Sequence, residues 1–167
     1  QSDDLASYRA AMHRLAKTRS VFHSPLSRRE IREALNAPHT GGELRFPSSL
    51  RPTPGEAWSF TDDSTGHRFA MPPGSETVKD ELQGEGRFDP AEEIGDPVVW
   101  TRDGRPAYQL AVVVDDHEHG VTDVFRGEDL LPSAARQQLL ARSLDFEPAP
   151  RWWHVPLVTD GDGRRLA

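Results

Sequence analysis

The chain has 167 residues, 35% of them hydrophobic, with 14 Pro, 13 Gly and no Cys, which fits one folded domain and excludes a disordered or low-complexity protein. The lack of Cys excludes disulfides, thiolate metal sites and a thiol nucleophile. The net charge of −7 argues against non-specific coating of nucleic acid, and its placement is uneven: residues 1–56 hold nine Lys/Arg against six Asp/Glu, residues 57–129 six against seventeen, and residues 130–167 five against four, so only the ends suit phosphate.

No apolar run approaches the roughly 20 residues that cross a bilayer, and Gln1-Ser2-Asp3-Asp4 has neither the basic nor the apolar region of a signal, so a cytoplasmic protein without a membrane segment is expected. The chain lacks an initiating Met and closes on Arg164-Arg165-Leu166-Ala167, which fits a piece of a longer protein.

Leu5, Tyr8, Met12 and Leu15 recur at the spacing of a helix face, with Ser2 placed to cap it. Ser27-Arg28-Arg29-Glu30 fits a capping box, and Ile31 and Leu35 continue an apolar face. Between Asn36 and Glu56, Pro38, Gly41, Gly42, Pro47, Pro52, Pro54 and Gly55 interrupt any regular element. Trp58–Phe60 and His67–Met71 flank Asp63-Ser64-Thr65-Gly66 as a hairpin, and Val98–Thr101 and the residues from Ala107 flank a second turn, Arg102-Asp103-Gly104-Arg105.

The run Tyr108-Gln109-Leu110-Ala111-Val112-Val113-Val114 reads as a central strand buried on both faces of a parallel sheet. Val121–Phe125 is a second strand, a helix capped by Ser133 runs through Leu144, and Trp153–Val158 is a third strand. The expected fold class is α/β: a partial Rossmann-like, doubly wound parallel sheet in residues 107–167, preceded by a helical segment at 1–35 and an irregular, small antiparallel β insertion at 36–106.

In an open parallel sheet, ligands lie beyond the carboxyl ends of the strands. Here those ends carry Asp115-Asp116, Arg126-Gly127-Glu128-Asp129 and the stretch from Asp160 to Arg165. Arg126, followed by Gly127, suits a carboxylate or phosphate held in a two-pronged hydrogen bond, the plainer alternative being an ion pair with Asp129. Asp115-Asp116 with His117-Glu118-His119 offers metal-type donors, but consecutive residues point different ways and no second cluster stands elsewhere, which favours a structural role. His13, His23, His39 and His67 are scattered, and no Ser stands in a nucleophile elbow, so a hydrolytic triad is not supported. Trp152-Trp153 beside Arg151 suits base stacking, while Val155, Leu157 and Val158 favour a core or interface role.

Four blocks recur in a known order and spacing: Asp103 to Asp116, Gly120 to Leu131, Arg136-Gln137, and His154-Val155-Pro156-Leu157. They resemble the second half of the catalytic domain of glutamyl-tRNA synthetase-like enzymes, class I aminoacyl-tRNA synthetases. Tyr108-Gln109-Leu110-Ala111, and Asp129-Leu130-Leu131 after Arg126-Gly127, are most similar to the short branch that lacks an anticodon-binding domain and attaches glutamate to queuosine in tRNA(Asp).

The resemblance implies an ATP-dependent ligase that activates glutamate, with Mg accompanying ATP, and serves tRNA(Asp) or tRNA(Glu) as a cytoplasmic monomer. It implies that Arg126 pairs with a substrate carboxylate and that Tyr108 lines the same pocket. Asp129, His154 and Leu157 would border the ATP site, and Arg165 and Leu166 would begin a mobile loop. The family's HIGH-type motif would precede Gln1 and the lysine of its KMSKS-type loop would follow Ala167, so this polypeptide alone is expected to be inactive. The family's zinc-binding cysteine and tyrosine positions are here Ser24, Leu26, Phe46 and Leu50, so zinc is expected to be absent and Phe22, Leu26, Phe46 and Leu50 to hold the module by packing. The competing expectation is a non-catalytic remnant of the fold that serves as a binding or interaction module.

Overall fold

The structure, a computed structural model, describes residues 5–35 and 44–161. Its elements run α1 (Ala6–Lys17), β1 (Val21–His23), α2 (Arg28–Ala34), β2 (His67–Phe69), β3 (Glu76–Asp80), β4 (Gly84–Phe88) and α3 (Pro90–Glu93). There follow β5 (Val98–Trp100), α4 (Tyr108–Glu118), β6 (Asp123–Gly127), α5 (Leu131–Ser143) and β7 (Arg151–Val155). Helix α1 buries Ala11, Met12 and Leu15 and packs Tyr8 on the same core, the face its spacing predicts. Full burial of Met12 and Leu15 stabilises by about 1.5–3 kcal/mol each. The expected cap at Ser2 lies outside the described residues. Helix α2 starts with the expected box: the Glu30 amide donates to Ser27 Oγ at 3.3 Å and the Ser27 amide to Glu30 Oε2 at 2.7 Å.

The architecture is mixed α/β with two sheets. The first is antiparallel in the order β1-β2-β5, and the second has the order β4-β3-β7-β6, with β3 and β6 both parallel to β7 and β4 antiparallel to β3. The segment β6-α5-β7 is a βαβ unit whose helix lays Ala134 and Ala135 on Val78 and Trp152 of the sheet. Strands β3 and β4, which come from the 36–106 stretch, thus share a sheet with the strands of the last fifty residues.

The run from Tyr108 to Val114 is not a strand but the start of α4. Leu110, Val113 and Val114 are buried at the spacing of a helix face, and Val112 also packs on the core, so the run is apolar on more than one side of the helix. A helix between two neighbours, here α1 and α5, needs that pattern as much as a buried strand does. The parallel pair is therefore β6 and β7 without a third strand from this run.

Trp58–Phe60 does not pair with His67–Met71; Glu56–Trp58 is a 3-10 turn, and β2 pairs with β1 and β5. The Trp58 indole donates to the Pro52 carbonyl at 3.1 Å and its ring lies 5.2 Å from Phe22, while His67 ring nitrogens meet the Ser59 and Thr65 carbonyls at 3.1 and 3.0 Å. Side-chain packing and these bonds take the place of a ladder. The turn at Arg102–Arg105 is present, with Gly104 at φ 73° and the Thr101 amide on the Arg105 carbonyl at 2.8 Å. It closes one bridge, Trp100 to Pro106, with the Ala107 amide on the Val99 carbonyl at 2.8 Å, and the chain then enters α4 at Tyr108, which ends the pairing. The last strands are offset from their expected ends: β6 is Asp123–Gly127 rather than Val121–Phe125, and β7 is Arg151–Val155 rather than Trp153–Val158. Helix α5 begins at Leu131, with Pro132 in its first turn, rather than at a Ser133 cap.

Phe22, Ile31 and Phe46 form a buried cluster on which Leu26, Leu44, Leu50 and Trp58 pack, so the four residues expected to replace zinc by packing do meet in one apolar group. Leu and Phe have no lone pair to give a metal, and Ser24, buried beside this group, is a poor ligand by itself, so the residues present do not fit the family's zinc. A buried charge pair adds to the apolar hold: Arg51 forks onto Asp96 with both N–O distances at 2.7 Å and also donates to the Met71 carbonyl.

Candidate functional site

In the parallel pair, Arg126 stands opposite His154 and Gly127 opposite Val155. The two sequence blocks expected to carry the chemistry thus meet at the carboxyl end of one pair of strands. Alternation along the strands turns Arg126, Trp152 and His154 toward α5, while Phe125 and Trp153 stack on the opposite face with ring centres 5.1 Å apart.

Arg126 is held from three sides. Its Nε donates to His154 Nε2 at 2.9 Å, its Nη1 donates to Gln137 Oε1 of α5 at 2.8 Å, and its guanidinium lies over the Trp152 ring, 4.9 Å from the centre. Gln137 passes the connection on, donating through Nε2 to Gln109 Oε1 at 3.0 Å. The Nη2 of Arg126 is buried and has no hydrogen-bond partner among the described residues. Burial presses the guanidinium below its ordinary value, opposed by the charges of Tyr108, Asp116 and Asp80. The plainer expectation, Arg126 spent on Asp129, gives way to bonds with His154 and Gln137.

Behind Arg126, the His154 ring is fully buried, with Nδ1 at 2.6 Å from Asp80 Oδ2. Nε2 accepts from Arg126, so the imidazole proton sits on Nδ1 and is donated to Asp80. Asp80 also accepts the amides of Leu82, Gln83 and His154 at 3.0, 2.9 and 3.1 Å. Burial by itself raises the Asp80 carboxyl, but the His154 side chain and these amides outweigh it and hold the carboxyl at about 2.

Tyr108 is the first residue of α4, with 63% of its surface exposed, and lies within electrostatic reach of Arg126. A cavity of 510 Å³ has Asp116, Gln137 and Trp152 in its lining, and a second of 340 Å³ has Tyr108 and Gln109. Arg126 lines neither of these two cavities; Gln137, bonded to both Arg126 and Gln109, is its connection to their walls. Burial and the neighbouring Asp115 raise the Asp116 carboxyl, against the opposing charges of Arg126 and His119.

Asp129 and Leu157 meet at Gly127, where a Cβ would lie 2.6 Å from Asp129 Oδ1 and 3.1 Å from Leu157 Cδ2, so any side chain here would push those two apart. The Leu157 amide donates to Glu128 Oε1 at 3.1 Å, which ties the two blocks together. Arg165 and Leu166 lie outside the described residues. The Asp115–His119 segment has structural partners: Tyr8 donates to Asp115 Oδ1 at 2.6 Å, and the His117 ring stacks on Phe146 at 3.8 Å. Among the described residues no three His, Asp or Glu are grouped to hold a metal, and no helix is long and apolar enough to cross a membrane.

Asp80, Gln109 and Gln137 were not singled out from the sequence as site residues. Gln137 stood in a recognisable block without a role, and Asp80 had no local sign, since its ring partner is 74 residues away.

Residues 1–166 match the family of class I tRNA synthetases (E and Q), catalytic domain. The chain is 39% identical over 175 residues to the glutamyl-Q tRNA(Asp) synthetase of Burkholderia mallei (strain ATCC 23344), covering 100% of this chain and 56% of that protein. It is 41% identical over 162 residues to the glutamyl-Q tRNA(Asp) synthetase of Bordetella bronchiseptica (strain ATCC BAA-588 / NCTC 13252 / RB50), covering 96% and 49% respectively. The chain thus spans about half the length of these curated relatives. The crystal structure of a glutamate-tRNA synthetase from Elizabethkingia anophelis shares the fold, with a TM-score of 0.77 at 23% identity over 96% of this chain and 35% of that one.

Proposed function

The chain belongs to the catalytic-domain family of class I tRNA synthetases of the E and Q type, and from that membership we propose that it is part of an ATP-dependent enzyme that activates glutamate and transfers it to queuosine in tRNA(Asp). The observation that carries this reading is the half-buried Arg126 guanidinium, anchored through Nε and Nη1 while its buried Nη2 keeps an unused donor. A guanidinium fixed in this way is prepared to receive a carboxylate, and burial strengthens the charge-assisted bond it makes. Arg126 holds a carboxylate of the substrate, and Tyr108 at the start of α4 closes the same side of the site.

Activation joins a glutamate carboxylate oxygen to the α-phosphorus of ATP and breaks the bond to pyrophosphate; a hydroxyl of the nucleoside then takes the glutamyl group and AMP leaves. The first step requires alignment and charge stabilisation more than a protein nucleophile, which suits a site built from Arg, Gln and a buried His. In the same reading Asp129 and Leu157, packed about Gly127, border the ATP side.

The protein encoded by the complete gene is expected to catalyse glutamate-dependent exchange of pyrophosphate into ATP and to lose most of it in Arg126→Ala. Exchange that is indifferent to that substitution would support instead a binding module built on the same fold.

A further inference from the structure

The geometry points to Asp80 and His154 as positioning residues that fix the orientation of Arg126 without neutralising it, an inference that rests on the reading of Arg126 as the glutamate clamp. An arginine side chain has many rotamers, and a clamp that must choose one needs fixed partners on different elements. Here His154 of β7 and Gln137 of α5 bond the guanidinium directly, and Asp80 of β3 reaches it through His154, so three separate elements fix one guanidinium.

The order of the groups matters as much as their number. A carboxylate placed directly on Arg126 would compete with the carboxylate of the substrate for the same donors. Asp80 stands one imidazole further back, with its oxygens taken up by the His154 ring and three backbone amides. The ring passes on the orientation while keeping the carboxylate oxygens off the guanidinium donors. Asp80 accepts the Nδ1–H, which leaves Nε2 as a bare acceptor for Arg126 Nε–H, and Arg126 keeps its full positive charge for the ligand. The opposite tautomer would set N–H against N–H at this 2.9 Å contact. His154 thus acts through Arg126 from a fully buried position, whichever substrate group lies closest to it.

This predicts distinct results for two conservative substitutions. Asp80→Asn presents an amide NH2 toward Nδ1, favours the wrong tautomer and disturbs Arg126. His154→Gln keeps an acceptor within reach of Arg126 Nε and restores much of what His154→Ala loses. The full chain, labelled with 15N, is examined by NMR for the His154 ring nitrogens and the Arg126 Nε–H, with circular dichroism to confirm that each variant is folded, and L-glutamate is titrated by calorimetry.

The expected results are a neutral His154 protonated on Nδ1, an Arg126 Nε–H signal protected in the wild type and in His154→Gln but lost to exchange in His154→Ala and Asp80→Asn, and glutamate affinity about tenfold weaker in the latter two, with most of it regained in His154→Gln. A proton on Nε2 of the wild-type ring, or Arg126 protection and glutamate affinity unchanged in a folded His154→Ala, would overturn the inference. If the wild type binds no glutamate, the clamp reading fails, and the Arg126 signal alone decides: protection dependent on His154 and Asp80 upholds the positioning, and independence refutes it.

Discussion

The guanidinium of Arg126 lies over the Trp152 ring, 4.9 Å from its centre, and Trp152 is itself 4% exposed. The indole therefore serves two ends, filling the layer between α5 and the second sheet and giving the cation a flat apolar floor. Trp152→Phe keeps a π face and is expected to retain most glutamate affinity, whereas Trp152→Leu keeps burial alone and is expected to weaken glutamate binding several-fold. Trp152→Ala is expected to destabilise the fold by about 3–5 kcal/mol. Urea unfolding with calorimetry of the same variants separates the two effects, and equal glutamate binding by the Phe and Leu variants would contradict the role given to the ring.

Tyr8 ties α1 to α4 by donating to Asp115 Oδ1 at 2.6 Å. That bond, then burial, then the charges of Asp115 and Glu118 push the phenol from 10.0 up to about 12. Because the folded value lies above the unfolded one, the stability this bond contributes is fully present below pH 10.0 and lost as pH rises toward 12. In a Tyr108→Phe background, phenolate absorbance reports Tyr8 alone, since the chain has two tyrosines. The expected folded titration is shifted toward about 12 and returns to the ordinary range in urea. A folded titration at 10.0 would show that the bond does not persist in solution.

Phe22, Ile31 and Phe46 form a buried apolar cluster, and none of the three offers a metal a ligand. Protein purified without chelator is expected to contain no stoichiometric zinc, and chelator treatment is expected to leave its unfolding curve unchanged. Phe46→Ala is expected to cost about 3–5 kcal/mol, because it opens a cavity in this buried apolar group and removes the ring over which the Arg68 guanidinium lies, 4.4 Å from its centre. One zinc per chain by elemental analysis would contradict this account.

Three local signals in the sequence survived folding, whereas the hairpin expected about residues 63–66 and the Ser133 cap did not. The Ser27 to Glu30 box, the α1 face and the Gly104 turn each depend on neighbours within a few residues, and all three are present. The run from Tyr108 misled because nearly every position in it is apolar, and a helix with neighbours on two sides and a strand in a covered sheet then share one pattern. Strand β3 was hidden for the opposite reason. Its inward positions include Glu76 and Asp80, which read as surface, and their burial depends on Arg142 and His154, 66 and 74 residues away. The Arg126 site was half legible for the same cause: Arg126 announces itself by charge after an apolar strand, whereas Asp80 and Gln137 become partners only when β3, α5 and β7 meet.

The most direct measurement is calorimetric titration of L-glutamate into the wild-type chain and into Arg126→Ala, with circular dichroism to confirm equal folding. A charge-assisted pair of about 1.5–3 kcal/mol corresponds to roughly tenfold to a hundredfold in affinity. The account predicts glutamate binding by the wild type and a loss of that size in the variant. Binding that is equal in the two proteins, or no glutamate binding by the wild type, would contradict the assignment of Arg126 as the clamp.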